Sequence, residues 1–280
     1  MSPNPTILIG AAGTVTNQIK IGTGGILIKN HSILSVLENT AMLETLFPGR
    51  ILIGIGRADG MNPHLLSHSV FSSEYTPPLT LEALDEKMIT LLRCSDPIQQ
   101  QPISPRLKQF PPITILGSSK RAALFAAKQK RAFNLAHFIN PKSTDEIIAT
   151  YRDNFASTID ESQEPELTLA VHAICADKDN EAEQLAKILF YCYLQLQQQH
   201  DPILYSLKEM ENIQFSQEQK KRFHRFIENH FIGSPTTIKE KLNHFIQQHD
   251  PQNILFTTGI PDFKQRCHSY KLLSELLKQR

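Results

Sequence analysis

Apolar positions along this chain alternate between two periods. From Ile19 to Ile28 they are dense and β-branched, which predicts a strand; Gly22, Gly24 and Gly25 fall where a side chain would obstruct anything approaching the backbone. Val36, Leu37, Thr40, Leu43 and Phe47 then recur at helical spacing behind a capping-box spacing from Ser35 to Glu38, and Pro48-Gly49 stops that helix. Ile51, Leu52, Ile53 and Ile55 show no polar alternation, so they predict a strand buried on both faces; it gives out at Gly54-Ile55-Gly56-Arg57. The same reading places a helix before this stretch, over 7–15. After it come a helix over 79–92, a strand over 113–116, a Gly-Ser-Ser turn and an Ala-rich helix over 120–129. A strand over 132–138, a helix over 144–156 and a strand over 167–176 follow. Helices over 180–200 and 216–230 come next, then one that Ser234 caps and Pro235 starts, running to 248. A strand over 253–258 and a helix over 263–278 close the chain. Strands that alternate with helices predict an α/β protein with parallel strands and crossover helices. Six strands suit an open, doubly wound sheet, whereas a closed barrel needs eight, so the count by itself favours the open sheet.

Composition narrows the classes. Lys and Arg number 29 against 28 Asp and Glu, a formal net charge of +1, which argues against nucleic acid or an anionic membrane as partner. Cys94, Cys175, Cys192 and Cys267 are scattered without metal-ligand spacing and read as reduced thiols. No apolar run reaches membrane-spanning length, and the first residues lack the pattern of a secretion signal, so a cytoplasmic protein is expected. Five prolines between Ser95 and Pro112 mark an irregular surface connection rather than a domain boundary.

Two features carry candidate chemistry. Gly117-Ser118-Ser119 opens a helix directly after a strand, where free N–H groups, two hydroxyls and the positive helix end can converge on an anion; an ordinary serine cap in a tight turn is the plainer alternative. Arg57 ends a buried strand in a small-residue setting, with a surface arginine as its alternative. Together they suggest a phosphate held between two strand ends. GIGRADG does not fit the dinucleotide fingerprint GxGxxG, because Arg57 follows the second glycine and Pro63 interrupts the helix that should start there. His31 and His137 each stand near a strand end and could serve as acid/base groups or as packing residues. His64 and His68 share a helical spacing without a third ligand, so no metal site is expected. No GxSxG motif or Cys–His pairing supports nucleophilic hydrolysis, and Lys220-Lys221-Arg222 reads as a solvated helix face.

IGTGGILIKNHSILSVLENTAMLETLFPGRILIGIGRADG resembles the central signature of the bacterial luciferase-like flavin monooxygenases, in the single-component branch near alkanal monooxygenase alpha-chain-like proteins. The resemblance continues through PPITILGSSKRAALFAA, LAHF, FIGSPTTIKEKL and RCHSYKLLSEL, so it spans nearly the whole chain as one domain, 1–280. It implies a TIM-type (βα)8 barrel in place of the open sheet. It also implies that Gly24-Gly25 matches a strand-end pair where a non-prolyl cis peptide lies under the flavin, and that Arg57 matches the phosphate-binding arginine. Gly117, Ser118 and Ser119 match a second phosphate-contacting turn, and His31 a pocket-lining, catalytic position. The implied activity uses reduced FMN and oxygen to oxygenate a small organic substrate. A separate flavin reductase and a homodimer are compatible with it, and a deazaflavin-dependent reductase is the minor alternative. Family members begin with a strand, a helix and a second strand ending in a Glu-His-His-like motif. The resemblance therefore implies a barrel lacking strands one and two, and with them the alternative of a flavin-binding or oligomerising protein without the reaction.

Overall fold

A computed structural model describes residues 4–57, 80–95, 103–156, 164–198 and 203–278. They cluster into two compact units, Met1–Leu135 with Glu146–Leu167, and Ala136–Asp145 with Thr168–Arg280.

The first unit is built on α1 (Pro5–Thr14), β1 (Ile21–Leu27), α2 (Ile33–Leu46), β2 (Ile51–Gly56), α3 (Leu81–Cys94), β3 (Ile113–Gly117), α4 (Lys120–Lys128), β4 (Phe133–Ala136) and α5 (Thr144–Ala156). Its strands pair in parallel in chain order: Ile21 lies opposite Ile51, Ile53 opposite Ile113, and Ile115 opposite Phe133. Ile26, Ile53, Ile55, Ile115, Phe133 and Leu135 are buried, so the β-branched runs of the sequence form the inner layer of this sheet. Ser32, not Ser35, caps α2: its hydroxyl accepts from the Ser35 N–H at 3.1 Å, so the helix starts a turn before the capping-box spacing. Leu52 corrects the expectation of a strand buried on both faces, since it stays 39% exposed.

β1 accommodates its glycines with a bulge. Thr23 pairs with Ile53 and Ile26 with Ile55, so three steps on β1 face two on β2. Beside the bulge the Thr23 hydroxyl accepts from the Gly54 N–H and donates to the Gly54 carbonyl, each at 2.9 Å. A Cβ on Gly25 would stand 2.6 Å from the Gly54 carbonyl oxygen, so this glycine is required by the close approach of the strands. The expected cis bond at Gly24-Gly25 is not present; the only cis peptide among the described residues is Ser104–Pro105. Thr23→Val should remove both buried hydrogen bonds to Gly54 and lower unfolding stability by about 1–3 kcal/mol, measured as a shift in urea midpoint.

The second unit comprises β5 (Leu167–Cys175), α6 (Asp179–Gln197), α7 (Leu207–Met210), α8 (Gln217–Glu228), β6 (Phe231–Gly233), α9 (Pro235–His249), β7 (Asn253–Thr257) and α10 (Phe263–Lys278). β5 pairs in parallel with β7 over Thr168–His172 and with β6 over Ala173–Cys175. Its core packs Ile174, Ala186, Leu189, Phe190, Phe223, Ile232 and Ile260 together. β6 raises the strand number among the described residues from six to seven; three residues are too few to show a period. Ser234 caps α9 with Pro235 in its first turn; on α8 Lys220 and Lys221 are exposed, while Arg222 is half-buried and donates to Oε1 of Gln197 on α6. The four cysteines are free thiols. No helix among the described residues is long and apolar enough to cross a membrane.

Candidate functional site

The first unit gathers cationic and hydroxyl groups at the carboxyl ends of β2 and β3. Gly54 and Ile55 pair with Thr114 and Ile115, and that register brings Arg57, just past β2, level with Gly117 at the end of β3. Parallel sheets collect ligands at this edge, because the following helices point their N-termini at it. Gly117 lets the turn close: a Cβ there would lie 2.2 Å from Cβ of Ala122 in α4. Ser119 caps α4, its hydroxyl accepting from the Ala122 N–H at 3.3 Å, and Ser118 beside it is half-buried. The capping alternative for Ser119 is therefore realised. The first-turn N–H groups of α4 ahead of Ala122 have no partner within the helix, and α4 begins directly after β3.

Arg57 is not a surface arginine. Its side chain is 10% exposed, its guanidinium lies 5.5 Å from the centre of the Phe125 ring, and Nη1 donates to Oδ1 of Asp85 on α3. The other Asp85 oxygen accepts from Nη2 of Arg121 at 2.8 Å, and Arg121 also reaches Oε1 of Glu82 through both terminal nitrogens at 3.3 Å. A buried guanidinium requires such a partner, and one carboxylate here orients two arginines. Asp85 and Arg121 were not singled out in the sequence, since they are 28 and 64 positions from Arg57 by chain numbering. The donor set, two forked guanidiniums beside hydroxyls and backbone N–H groups, fits a phosphate monoester.

The other sequence candidates lie on β1 and the turn after it. A Cβ on Gly24 would meet nothing within 4 Å, so this part of β1 faces open space. His31 follows the 3-10 turn Ile28–Asn30, half-buried, and its backbone N–H donates to the Ile28 carbonyl at 3.5 Å. Leu27 pairs with Gly56, so the turn bearing His31 leaves the sheet at the same end as Arg57. His64 and His68 lie outside the described residues.

A histidine cluster that the sequence did not show as a group occupies the second unit. His172 on β5 joins Oγ1 of Thr257 through Nδ1 and Oη of Tyr193 through Nε2, each at 2.5 Å. His230 stacks between His172 and Phe226, with ring centres 5.3 and 4.2 Å away, and neither of its nitrogens makes a hydrogen bond of ordinary geometry. His137 joins Thr144 through Nδ1 at 2.8 Å and meets Phe245 edge-on. Burial pushes His137 and His172 down to about 4 and His230 to about 3; neighbouring histidines add to the fall at His137 and His230. All three rings are therefore neutral at pH 7. His137 and His230 also line a cleft of about 300 Å³ with Asp145, Lys241 and His249.

Parallel strands with crossover helices, and cationic and hydroxyl groups gathered at one sheet edge, define an α/β protein with a candidate anion site at its strand ends. Comparison with known proteins makes the class specific. The family described as Luciferase-like monooxygenase matches residues 1–249, and the chain belongs to that family. The uncharacterized protein YceB of Bacillus subtilis is 28% identical over 278 residues, covering 98% of this chain and 84% of its own. The crystal structure of apo-MsnO8 superposes with a TM-score of 0.85 at 27% identity, over 99% of this chain and 83% of that one. The oxygenating constituent of 3,6-diketocamphane monooxygenase from Pseudomonas putida, solved in complex with FMN, shares the fold with a TM-score of 0.66 at 18% identity, over 98% and 83%. The fold is that of the luciferase-like barrels, so the resemblance, not the strand count, identified the architecture.

Proposed function

We propose that this chain is an FMN-dependent monooxygenase that takes reduced FMN, delivered by a separate reductase, and uses oxygen to oxygenate a small organic substrate. The observation that carries the reading is Arg57, buried at the end of β2, level with the Gly117-Ser118-Ser119 turn and oriented by Asp85. Arg57 would hold the phosphate as a fork, and the Ser118 hydroxyl and the α4 first-turn N–H groups would complete its coordination. Gly24, with open space in place of a side chain, would admit the ring system, with Gly25 shaping the strand beneath it. His31, which follows β1 at the same sheet end, would serve as acid or base toward substrate. The flavin, when bound, supplies the electrons and the reaction with oxygen; the chain binds it, orients it and excludes water.

Titrating the purified chain with FMN, reduced FMN and riboflavin, then following oxygen uptake with candidate substrates and a reductase, tests this reading. FMN should bind at least about tenfold more tightly than riboflavin, as a charge-assisted phosphate contact contributes. Equal affinities would sink it. Selective FMN binding without substrate-dependent oxygen uptake would instead establish a flavin-binding protein that lacks the reaction.

A further inference from the structure

We propose that Arg121 is a second phosphate-holding cation and that Glu82 is its exchangeable counter-ion, so that loading the site is an anion exchange in which phosphate displaces the Glu82 carboxylate. The inference rests on the phosphate reading of Arg57 and adds to it a competing group belonging to the chain itself.

Two carboxylates face two arginines, and they are not equivalent. Asp85 is 23% exposed and both of its oxygens are engaged, one by Arg57 and one by Arg121 at 2.8 Å. Glu82 sits a turn earlier on α3, is 76% exposed, and offers a single oxygen to Arg121 at 3.3 Å. Hydrogen bonding by its own backbone and by Arg121 holds the Glu82 carboxyl below the usual range, so it is an anion at neutral pH. Exposed pairs of this kind are weak and easily screened, while a carboxylate bonded on both oxygens is held in place. Asp85 therefore stays when a ligand arrives and Glu82 leaves. With both acids in place the charge of the two arginines is cancelled; with Glu82 gone, one full positive charge faces the incoming phosphate beside Ser118 and Ser119. Lys120, the neighbouring cation on α4, pairs with Glu146 on α5 at 2.7 Å rather than with Glu82 or Asp85, so it is not part of the Arg57–Asp85–Arg121 network.

The test measures Kd for FMN and for riboflavin at low salt in the full chain and in Arg57→Ala, Glu82→Gln, Arg121→Gln and the Glu82→Gln/Arg121→Gln double variant. Glu82→Gln should tighten FMN binding by about threefold to fivefold and leave riboflavin unchanged, the size expected of an exposed pair removed as competitor. Arg121→Gln should weaken FMN by about tenfold, and in the double variant the gain from Glu82→Gln should vanish. Inorganic phosphate should compete with FMN more strongly in Glu82→Gln than in the parent. Unchanged FMN affinity in Glu82→Gln, or an equal shift for riboflavin, overturns the proposal. If Arg57→Ala lowers the FMN-to-riboflavin preference while Arg121→Gln and Glu82→Gln do not alter it, Arg57 keeps its role and the exchange is refuted. If Arg57→Ala also leaves the preference unchanged, the phosphate reading falls with it.

Discussion

Lowering the pH from 7 to 4 is expected to unfold this protein, and the histidines of the second unit are the cause. In the folded chain His137 and His172 protonate at about 4 and His230 at about 3, against 6.5 when unfolded. The unfolded chain therefore binds more protons between those values, and stability rises with pH across that window. It is fully present above about pH 7 and is lost progressively as pH falls through 6.5 toward 4. One such histidine corresponds to about 3 kcal/mol, a large share of a typical stability of 5–15 kcal/mol. Asp145 near His137, the Thr257 backbone near His172 and the Phe226 and Asn229 backbone near His230 each offset part of the fall, but burial outweighs them. Urea midpoints at pH 7, 6, 5 and 4 would show the slope. His230→Phe isolates one contribution: the ring stacks on His172 and Phe226 and makes no hydrogen bond of ordinary geometry, so phenylalanine should hold stability at pH 7 and flatten the loss below pH 6. An unchanged slope in that variant would remove His230 from the account.

These groups show what the sequence could and could not disclose. Alternating strands and helices were legible because each element carries its own period, and Ser234-Pro235 could be read as a helix start from two adjacent residues. The three-residue β6 carries no period, and its partner on β5 is more than fifty positions away. His137 stands in the sequence as a lone strand-end residue and His172 and His230 carry no signal of their own, since only the fold stacks His172 on His230 and gives burial the power to set their protonation. At the strand ends, Arg57 and the Gly117-Ser118-Ser119 turn were recognisable as local signals. Asp85, which orients Arg57, lies unmarked within an amphipathic helix. The adjacent glycines Gly24 and Gly25 of β1 form one feature in the sequence and two in the fold: Gly25 is demanded by β2, while Gly24 faces open space.

Arg57→Ala is expected to weaken FMN binding by about 10- to 100-fold while riboflavin binding holds, the range for losing charge-assisted hydrogen bonds to one phosphate. Selectivity for the phosphate is what separates a ligand contact from a structural one. Arg57 has structural work as well: it satisfies Asp85 and packs over Phe125, so its removal leaves one Asp85 oxygen without its partner. That loss should lower stability by about 1–2 kcal/mol, read from the urea midpoint, and a purely structural role would weaken both flavins together. Arg57→Lys divides the two roles further. Lysine restores the positive charge toward Asp85 but presents a single ammonium in place of the planar fork that spans Asp85 and a phosphate together. Stability should therefore recover in Arg57→Lys, while the FMN preference recovers only in part. Full recovery of both would mean that charge alone matters at this strand end, and recovery of neither would mean that Arg57 acts through its packing on Phe125.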